Sequence, residues 1–283
     1  KYLHSDTSHT YGRGYFDLAR MKNGEIAAIW LDGRYGKTIK GSALYFARTE
    51  KDKGFEKDSC LVKGTCECCR TDLLTDEDGN IHIAYRSISF PVHQLGKQVR
   101  DMTYTVSKDN GNTFSPAIPV SNDNWVIEGC PHSGPSLSIT NKTVNAVWFT
   151  AGGSPGLYST SFNGTGSGFT ARSLVTSSGR HPQMISLRDS KLAMVCEETS
   201  EMHHEAPMNM NSSNGSMPMK HSPAGNAKIV LRILGRNNNE IVPITDGHQA
   251  DHHAVIAAAK EGLLIAWTRE ENGRSKICYS QIN

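Results

Sequence analysis

The chain has 283 residues, of which 37% are hydrophobic, and its 30 basic and 28 acidic residues leave a net charge of +2. This balance gives no electrostatic reason to expect a nucleic acid or an anionic membrane as partner. No apolar run approaches the length of a membrane span, so none is expected. All-β domains of this size commonly form one unit, and we therefore expect a single domain over residues 1–283.

A short phrase recurs five times along the chain, each time as two apolar runs around a polar turn. The copies begin at Arg13, Cys69, His132, His181 and His252. An aromatic residue or a cysteine closes the second run of every copy. A unit this short cannot bury its apolar face alone, so neighbouring copies must stack around a common core. The pattern predicts an all-β fold, a single β-propeller in which five blades are favoured and six remain possible.

The turn at residues 107–114 reads SKDNGNTF and follows the Asp-box pattern S-x-D-x-G-x-T-F. The chain therefore resembles the Asp-box (BNR-repeat) β-propellers of the sialidase-like superfamily. A wider pattern from Thr65 to Leu137 resembles exported bacterial proteins called sialidase-like because of their propeller. The resemblance implies a propeller fold and fixes no activity. In the Asp-box turn, we expect Asp109 and Thr113 to hold a hairpin while Phe114 packs between strands.

Counting four strands to a blade places the blade starts near Tyr15, Arg70, Gly134, Pro182 and Ala254. The final blade then has only three strands before the chain ends at Asn283. The stretch from Lys1 to Ser8 precedes the first blade and has no partner of its own. We expect it to supply the missing outer strand, which would close the propeller and protect its sheet edges.

Cysteine and histidine residues stand at four of the five blade entrances, which a propeller brings to one mouth of its central channel. Thiolate and imidazole are ligands of copper and zinc. The predicted metal site consists of Cys69, Cys130, His132, His181 and His253, with His252, Cys68 and Cys66 as further candidates. Seven cysteines cannot all pair within one chain. The alternative is a set of disulfides together with ordinary loop histidines.

A second group of soft ligands lies in the segment 201–225, inside a predicted insertion loop over residues 199–226 between the second and third strands of blade four. Its candidate ligands are Met202, His203, His204, Met208, Met210, Met217, Met219 and His221. Thioether selects Cu(I), and neighbouring imidazoles also hold Cu(II). The M-x-M pairs resemble methionine motifs of bacterial periplasmic copper-handling proteins. The alternative is a disordered loop without function.

Three arginines on the same predicted face, Arg70, Arg86 and Arg100, support a competing hypothesis of anion binding. A carboxylate sugar needs such forked donors. The resemblance to sialidases implies three arginines, an aspartate acid/base and a tyrosine nucleophile. However, the first-blade F/Y-R-I-P motif is missing, and RGYFD from Arg13 is the nearest text. The arginines would equally serve in ion pairs with nearby carboxylates.

These observations favour an exported copper-binding propeller, periplasmic or secreted, over an Asp-box glycosidase or carbohydrate-binding module. The chain opens at Lys1 with no initiator methionine or apolar leader, as after removal of a signal peptide. The expected cofactor is copper, as Cu(I) or Cu(II), in preference to zinc. The expected partners are the metal ion and another copper-handling protein. If the chain is an enzyme, a copper-dependent oxidoreductase is favoured over a glycoside hydrolase.

Overall fold

The computed structural model describes residues 3–6, 12–166, 168–199, 227–235 and 239–283. The chain divides into two compact units, Lys1–Val175 and Thr176–Asn283. Helical structure in the described residues is limited to the short 3-10 turns Gly36–Thr38, Val92–Gln94 and Arg188–Ser190. Within that part of the chain, no helix has the length and apolar character that a membrane crossing requires.

The first unit carries three antiparallel sheets, each made of four strands that follow one another along the chain. Blade one is formed by β1(Arg13–Arg20), β2(Ile26–Asp32), β3(Ser42–Glu50) and β4(Gly54–Thr65). Blade two is formed by β5(Asp72–Thr75), β6(Ile81–Arg86), β7(Met102–Ser107) and β8(Ile118–Pro119). Blade three is formed by β9(Ser136–Thr140), β10(Thr143–Thr150), β11(Gly156–Phe162) and β12(Ser173–Thr176).

The second unit carries two more sheets. Blade four is formed by β13(Gly179–Ser186), β14(Leu192–Glu198), β15(Lys228–Leu234) and β16(Glu240–Pro243). Blade five is formed by β17(Ala250–Ala258), β18(Leu263–Glu271) and β19(Arg274–Ile282). Five consecutive antiparallel sheets are the blades of a five-bladed β-propeller fold, so the predicted fold class is confirmed.

Neighbouring blades within the first unit share an apolar core. Ile29 and Phe46 of blade one pack in one cluster with Ile83 of blade two, and all three are almost fully buried. Phe114 packs against this cluster and meets the ring of Phe46 edge-on, at a centroid distance of 5.1 Å. Blades two and three share a second cluster, in which Trp148 is fully buried. The repeated apolar runs thus bury one another, as stacking of the repeats requires.

The turn at residues 107–114 is held by hydrogen bonds to its own backbone. The Asp109 carboxylate accepts hydrogen bonds from the Thr113 amide and hydroxyl, at 2.9 and 2.6 Å. The Ser107 hydroxyl donates to Asp109 at 2.8 Å and accepts from the Gly111 amide, also at 2.8 Å. Gly111 has a φ of +80°, and a Cβ atom there would lie 2.5 Å from the Phe46 ring. The position therefore needs glycine both for its backbone and for close packing.

The aromatic residue that closes the second run of a repeat is tied to a buried carboxylate and an arginine. In blade one, the Trp30 indole donates to Asp32 at 2.9 Å, and Arg34 donates to the same carboxylate. The same arrangement recurs with Trp148, Asp123 and Arg172 in blade three and with Trp267, Asp251 and Arg269 in blade five. In blade four, Cys196 replaces the tryptophan beside the ion pair of Glu198 and Arg232. In each of these four blades, the residue that ends the second apolar run therefore contacts a carboxylate that is paired with an arginine.

The N-terminal stretch departs from the prediction that it completes blade five. Leu3 packs with the Trp30 cluster of blade one, and Ser5 donates to the Asp58 carboxylate on β4. Residues 3–6 form no strand, because side-chain contacts with blade one hold them there instead. The rest of the stretch, residues 1–2 and 7–8, lies outside the described residues. Blade five has three strands in the described part of the chain.

The predicted insertion 199–226 falls between β14 and β15, the second and third strands of blade four. The two strands pair directly, from Glu198 opposite Lys228 to Leu192 opposite Leu234. The insertion therefore separates β14 from β15 in sequence without breaking the hydrogen-bonded pairing of the two strands. Its methionines and histidines lie outside the described residues, so the copper-ligand prediction for them stays a prediction.

Candidate metal centres

Three loops of the first unit bring the predicted thiols and arginines together. They are residues 66–71 between β4 and β5, 87–101 between β6 and β7, and 120–135 between β8 and β9. In an antiparallel blade, the entrance to the first strand and the loop between the second and third strands lie at the same end. Cysteines at blade entrances therefore meet arginines from the neighbouring loop of blade two.

The thiols of Cys66, Cys68 and Cys69 form a compact buried cluster, called the thiol cluster below. The Cys66 sulfur lies 3.5 Å from the Cys68 sulfur and 3.1 Å from the Cys69 sulfur. All three sulfurs lie within 4.8 Å of one another, and each residue is at most 4% exposed. Three soft ligand atoms thus face a common point away from solvent.

Cys68 also belongs to a second ligand group, with Cys130 and His132. One ligand atom from each of these residues lies within 4.8 Å of the other two. Cys130 and His132 are only partly buried. His132 has a φ of +52°, a backbone conformation that is unfavourable for most residues and is maintained by the surrounding structure. Cys68 therefore links the buried cluster to a more accessible pair of ligands.

Two buried arginines surround the thiol cluster. Arg100 donates from Nη1 to the Cys66 sulfur at 3.0 Å and contacts the half-exposed Glu67 at 3.2 Å. Arg86 donates to the carbonyl oxygens of Arg100, Ser133 and Phe149, at 2.9, 3.1 and 2.7 Å. Both arginines are 1% exposed. A buried guanidinium group is stabilised by a nearby negative charge. Glu67 supplies one to Arg100, and a thiolate in the thiol cluster would supply another.

Several polar atoms beside the cluster are buried and have no hydrogen-bond partner. They are Nε of Arg86, Nε of Arg100 and the hydroxyl oxygen of Ser133. Such atoms are rare in folded proteins because each costs desolvation free energy. Their presence around the thiols marks this region as one built for more than packing.

The thiols perturb one another's protonation. Hydrogen bonds from Cys68 and Cys69, together with the charge of Arg100, lower the pKa of Cys66 well below its usual range. The hydrogen bond with Cys130 and those with its other neighbours raise the pKa of Cys68, and burial raises that of Cys69 to about 12. Within the thiol cluster, the thiolate is thus favoured at Cys66, where neighbouring thiols hydrogen-bond to it.

Tyr15, which the sequence argument did not include in the site, faces the same thiols. Burial, with a smaller electrostatic contribution from the neighbouring cysteines, raises the pKa of Tyr15 to about 12. Its backbone has a φ of +55° and lies in a β-bulge of β1. The segment RGYFD, which begins the first repeat and is the nearest text to the missing sialidase motif, therefore places a neutral phenol near the thiol cluster.

The histidines of blades four and five gather in the second unit around a buried glutamate. His181 Nδ1 lies 2.8 Å from Glu197 Oε2, and His252 Nδ1 lies 3.9 Å from the same oxygen. The His253 amide donates to Glu197 Oε1 at 2.7 Å. Although burial opposes its ionisation, the hydrogen bond from His181 and the nearby His252 imidazole lower the pKa of Glu197. The Glu197 carboxylate in turn raises the pKa of His252.

The structure thus resolves the predicted metal ligands into two groups. Cys66, Cys68, Cys69, Cys130 and His132 lie together in the first unit, and His181, His252 and His253 lie together in the second. That all of them share one site stays a prediction. The sequence argument missed Glu197 and Tyr15, because a carboxylate at a strand end and a tyrosine within a strand carry no distinctive pattern.

The arginines predicted to bind anions have partners within the protein. Arg86 and Arg100 are buried and bonded as described, so an external carboxylate would reach them only after those bonds had broken. Arg70 is partly exposed and acts electrostatically on the carboxyl groups of Asp17 and Asp72. Anion binding by Arg70, Arg86 and Arg100 stays a prediction.

Asp17 and Asp72 form a carboxyl pair on the first strands of blades one and two. Asp17 accepts the Leu73 amide at 2.7 Å, and Asp72 accepts the Leu137 amide, so each carboxyl group caps a strand of the next blade. Burial and the charge of Asp17 raise the pKa of Asp72 to about 7. The two groups therefore share a proton, as close carboxylates do.

We expect the Asp72→Asn variant to lose a pH dependence that the wild type shows. Because the pKa of Asp72 is raised, its folded state binds more protons than its unfolded state between pH 4 and 7. The stability that this proton contributes is therefore present below about pH 4 and is lost as the pH rises towards 7, by about 1–3 kcal/mol. Urea unfolding at several pH values checks this. Equal slopes for the two proteins would contradict the shared proton.

Comparisons with solved structures agree with the fold. The Hadza microbial sialidase Hz136 superimposes with a TM-score of 0.58 at 10% identity, covering 96% of this chain and 53% of that one. Trypanosoma rangeli sialidase gives 0.58 at 10%, covering 98% and 46%. Penicillium chrysogenum alpha-L-arabinanase, complexed with arabinobiose, gives 0.53 at 12%, covering 96% and 83%. The chain spans about half the length of the two sialidases.

No protein-family profile and no curated protein sequence matches the chain. At identities near 10%, the structural matches show the fold alone. They show that the chain has a β-propeller fold like that of the sialidases and the arabinanase. What the chain binds has to be argued from its own side chains.

Proposed function

We propose that the chain binds copper(I) at the thiol cluster of Cys66, Cys68 and Cys69. The observation that carries the proposal is the gathering of three buried thiol sulfurs within 4.8 Å of one another. Thiolate is a soft ligand that selects copper(I), zinc and iron–sulfur clusters. Cys130 and His132 form the neighbouring ligand group through Cys68.

The spacing of the sulfurs suits a bound ion. A metal–thiolate bond of about 2.3 Å places the sulfurs of a three-coordinate or tetrahedral site about 3.8–4.0 Å apart. The Cys66 sulfur lies 3.1 and 3.5 Å from the other two, so binding requires the cluster to open by less than about 1 Å. Small rotations of the side chains supply that movement.

The charge of the surroundings also suits a thiolate site. Copper(I) with three thiolates carries a net charge of −2, and the two buried guanidinium groups of Arg86 and Arg100 carry +2. Neutralisation of this kind offsets the cost of burying both the cations and the anionic complex. Glu67 supplies a further negative charge to Arg100 at 3.2 Å.

The arrangement favours handling of copper over catalysis. Cys68 belongs to both ligand groups, so an ion can exchange one thiol at a time between the buried cluster and the partly exposed Cys130 and His132. Such a chain of ligands is a route for loading and release. We propose that the methionines and histidines of segment 201–225 capture copper for this route, outside the cell membrane, and that another copper-handling protein exchanges the ion. Zinc is the competing ion.

Substitution of Cys66 by serine should remove one tightly bound copper(I) ion per chain. Serine oxygen is a poor ligand for copper(I), and the remaining thiols lose the thiolate that Arg100 stabilises. We expect affinity at this site to fall at least about 100-fold, equivalent to about 2.7 kcal/mol. The measurement is anaerobic competition with a chromogenic copper(I) chelator on reduced full-length protein, and X-ray absorption counts the sulfur ligands.

Cys60→Ser is the matched control, because Cys60 lies on β4 of the same unit and outside both ligand groups. Its copper stoichiometry should equal that of the wild type. Equal stoichiometry in the Cys66 variant would overturn the proposal. The competing glycosidase hypothesis predicts turnover of an aryl sialoside or arabinofuranoside that ignores copper and is lost on Arg70→Ala.

A further inference from the structure

We propose that His181, His253 and Glu197 form a second metal site, independent of the thiol cluster, that takes a divalent ion such as zinc. One ligand atom from each of these residues lies within 4.8 Å of the other two. The set contains nitrogen and oxygen donors and no sulfur. It therefore suits a borderline divalent ion, whereas the thiol cluster suits a soft monovalent one.

The geometry resembles that of a metal site whose ion has been replaced by a proton. His181 Nδ1 and Glu197 Oε2 are 2.8 Å apart and joined by a hydrogen bond. Bonds of about 2.0–2.2 Å to a tetrahedral ion would separate two such ligand atoms by about 3.3 Å. An ion can therefore take the place of the shared proton after a shift of about half an ångström at this pair.

Glu197 is held in place at the buried side of the site. Glu197 is 6% exposed and lies on β14, where its other oxygen accepts the His253 amide at 2.7 Å. This bond joins β14 of blade four to β17 of blade five. His253 is exposed and His181 is partly buried, so solvent reaches the site from the imidazole side. A buried negative charge beneath accessible imidazoles is a favourable position for a cation.

The backbone at both histidines is strained in the same way. His181 has a φ of +50° and His253 a φ of +55°, and each lies in a β-bulge of its blade's first strand. A positive φ is costly for histidine, and bulges commonly re-aim a side chain. The two bulges turn both imidazoles towards Glu197, with their ring centroids 5.6 Å apart. Tyr15 has a φ of +55° in the same kind of bulge of blade one, so the bulge belongs to the blade repeat, and in blades four and five it carries the two imidazoles.

Three protein ligands leave at least one coordination position for water or an external ligand. His252, whose Nδ1 lies 3.9 Å from Glu197 Oε2, is positioned to hydrogen-bond such a group. A closed structural site would need a fourth protein ligand in place. The predicted site is therefore an open one, of the kind that exchanges ligands.

The test is metal binding by full-length, metal-free, reduced protein and its His253→Asn variant. Asparagine tolerates a positive φ, so this variant keeps the bulge while it loses the imidazole. Calorimetric titration with zinc should show one ion fewer per chain in the variant, or affinity at that site at least 100-fold weaker. Cobalt(II) at this site should contribute a visible spectrum that the His253→Asn variant loses, while any near-ultraviolet charge-transfer band from the thiol cluster is unchanged.

Two further variants separate this site from the thiol cluster and from a purely structural role. His93→Ala, an exposed histidine of the first unit, should bind zinc as the wild type does. Cys66→Ser should keep the cobalt spectrum of the imidazole site. Zinc and cobalt binding unchanged in both His253→Asn and His181→Asn would overturn the proposal and leave a structural hydrogen-bond network.

Discussion

Replacement of Asp32 by alanine should lower the free energy of unfolding by about 3–5 kcal/mol, the range measured when one partner of a buried ion pair is removed. Asp32 is fully buried and accepts hydrogen bonds from the Trp30 indole at 2.9 Å and from Arg34 at 2.8 and 3.0 Å. Arg13 donates to the same carboxylate at 3.2 Å. The variant removes this acceptor from all three donors, and only the two arginines keep another carboxylate, Asp58 for Arg34 and Asp6 for Arg13. Chemical denaturation of the two proteins measures the effect.

The effect should depend on pH in a defined direction. Burial opposes ionisation of Asp32, but hydrogen bonds from Arg34 and Trp30 outweigh it and lower its pKa to about 2. Because this folded pKa lies below the ordinary value, the stabilisation is complete above about pH 4 and is lost as the pH falls towards 2. Asp78→Ala, which removes an exposed ion pair with Lys142, should leave the midpoint of unfolding nearly unchanged. Equal midpoints for the two variants would contradict the anchoring role.

The blade pattern could be predicted from the sequence because it depends on local features. Two apolar runs around a polar turn predict paired strands, and their fivefold repetition predicts five blades. The aromatic residue or cysteine that ends the second apolar run is also part of the repeated pattern. What it contacts could not be predicted, since the carboxylate that anchors Trp148, Asp123, lies 25 positions earlier in the chain. Such contacts are set by tertiary packing.

The candidate sites could be predicted in part for the same reason. Position at a blade entrance predicts that these residues converge, and the structure brings the thiols of Cys66, Cys68 and Cys69 together and His181 together with His253. The sequence does not reveal that Arg86 is buried or that Glu197 lies beneath the histidines. Burial of a charged side chain depends on neighbours from other blades. Residue type alone favours a surface position for both.

The prediction for Lys1 to Ser8 rested on the missing fourth strand of blade five. It did not rest on any pattern in the residues of the stretch itself. Leu3 has an apolar pocket beside Trp30, and Ser5 finds an acceptor in Asp58. These contacts are specific side-chain interactions with blade one. The tendency of proteins to pair or cover exposed sheet edges does not predict such side-chain contacts.

Replacement of Arg86 by methionine should both destabilise the first unit and weaken copper binding. Methionine fills a similar apolar volume, but the carbonyl oxygens of Arg100, Ser133 and Phe149 lose their donors in a buried environment. Removal of one partner from a buried charged hydrogen-bond network costs about 3–5 kcal/mol, and we expect a loss of this size. Thermal and chemical unfolding measure this part of the effect.

The loss of charge should appear separately in the affinity for copper(I). Arg86 acts electrostatically on the Cys69 thiol, and its removal leaves the anionic copper complex with one buried cation, Arg100. At an effective dielectric constant of about 20, one such charge contributes about 1–3 kcal/mol, so affinity should fall roughly 10- to 100-fold. Arg86→Lys keeps the charge, but its compact ammonium group cannot reach three carbonyls that are arranged around a planar guanidinium. It should therefore recover much of the copper affinity while remaining destabilised. Equal copper affinity in Arg86→Met and the wild type would show that the buried arginines serve the fold and not the bound ion.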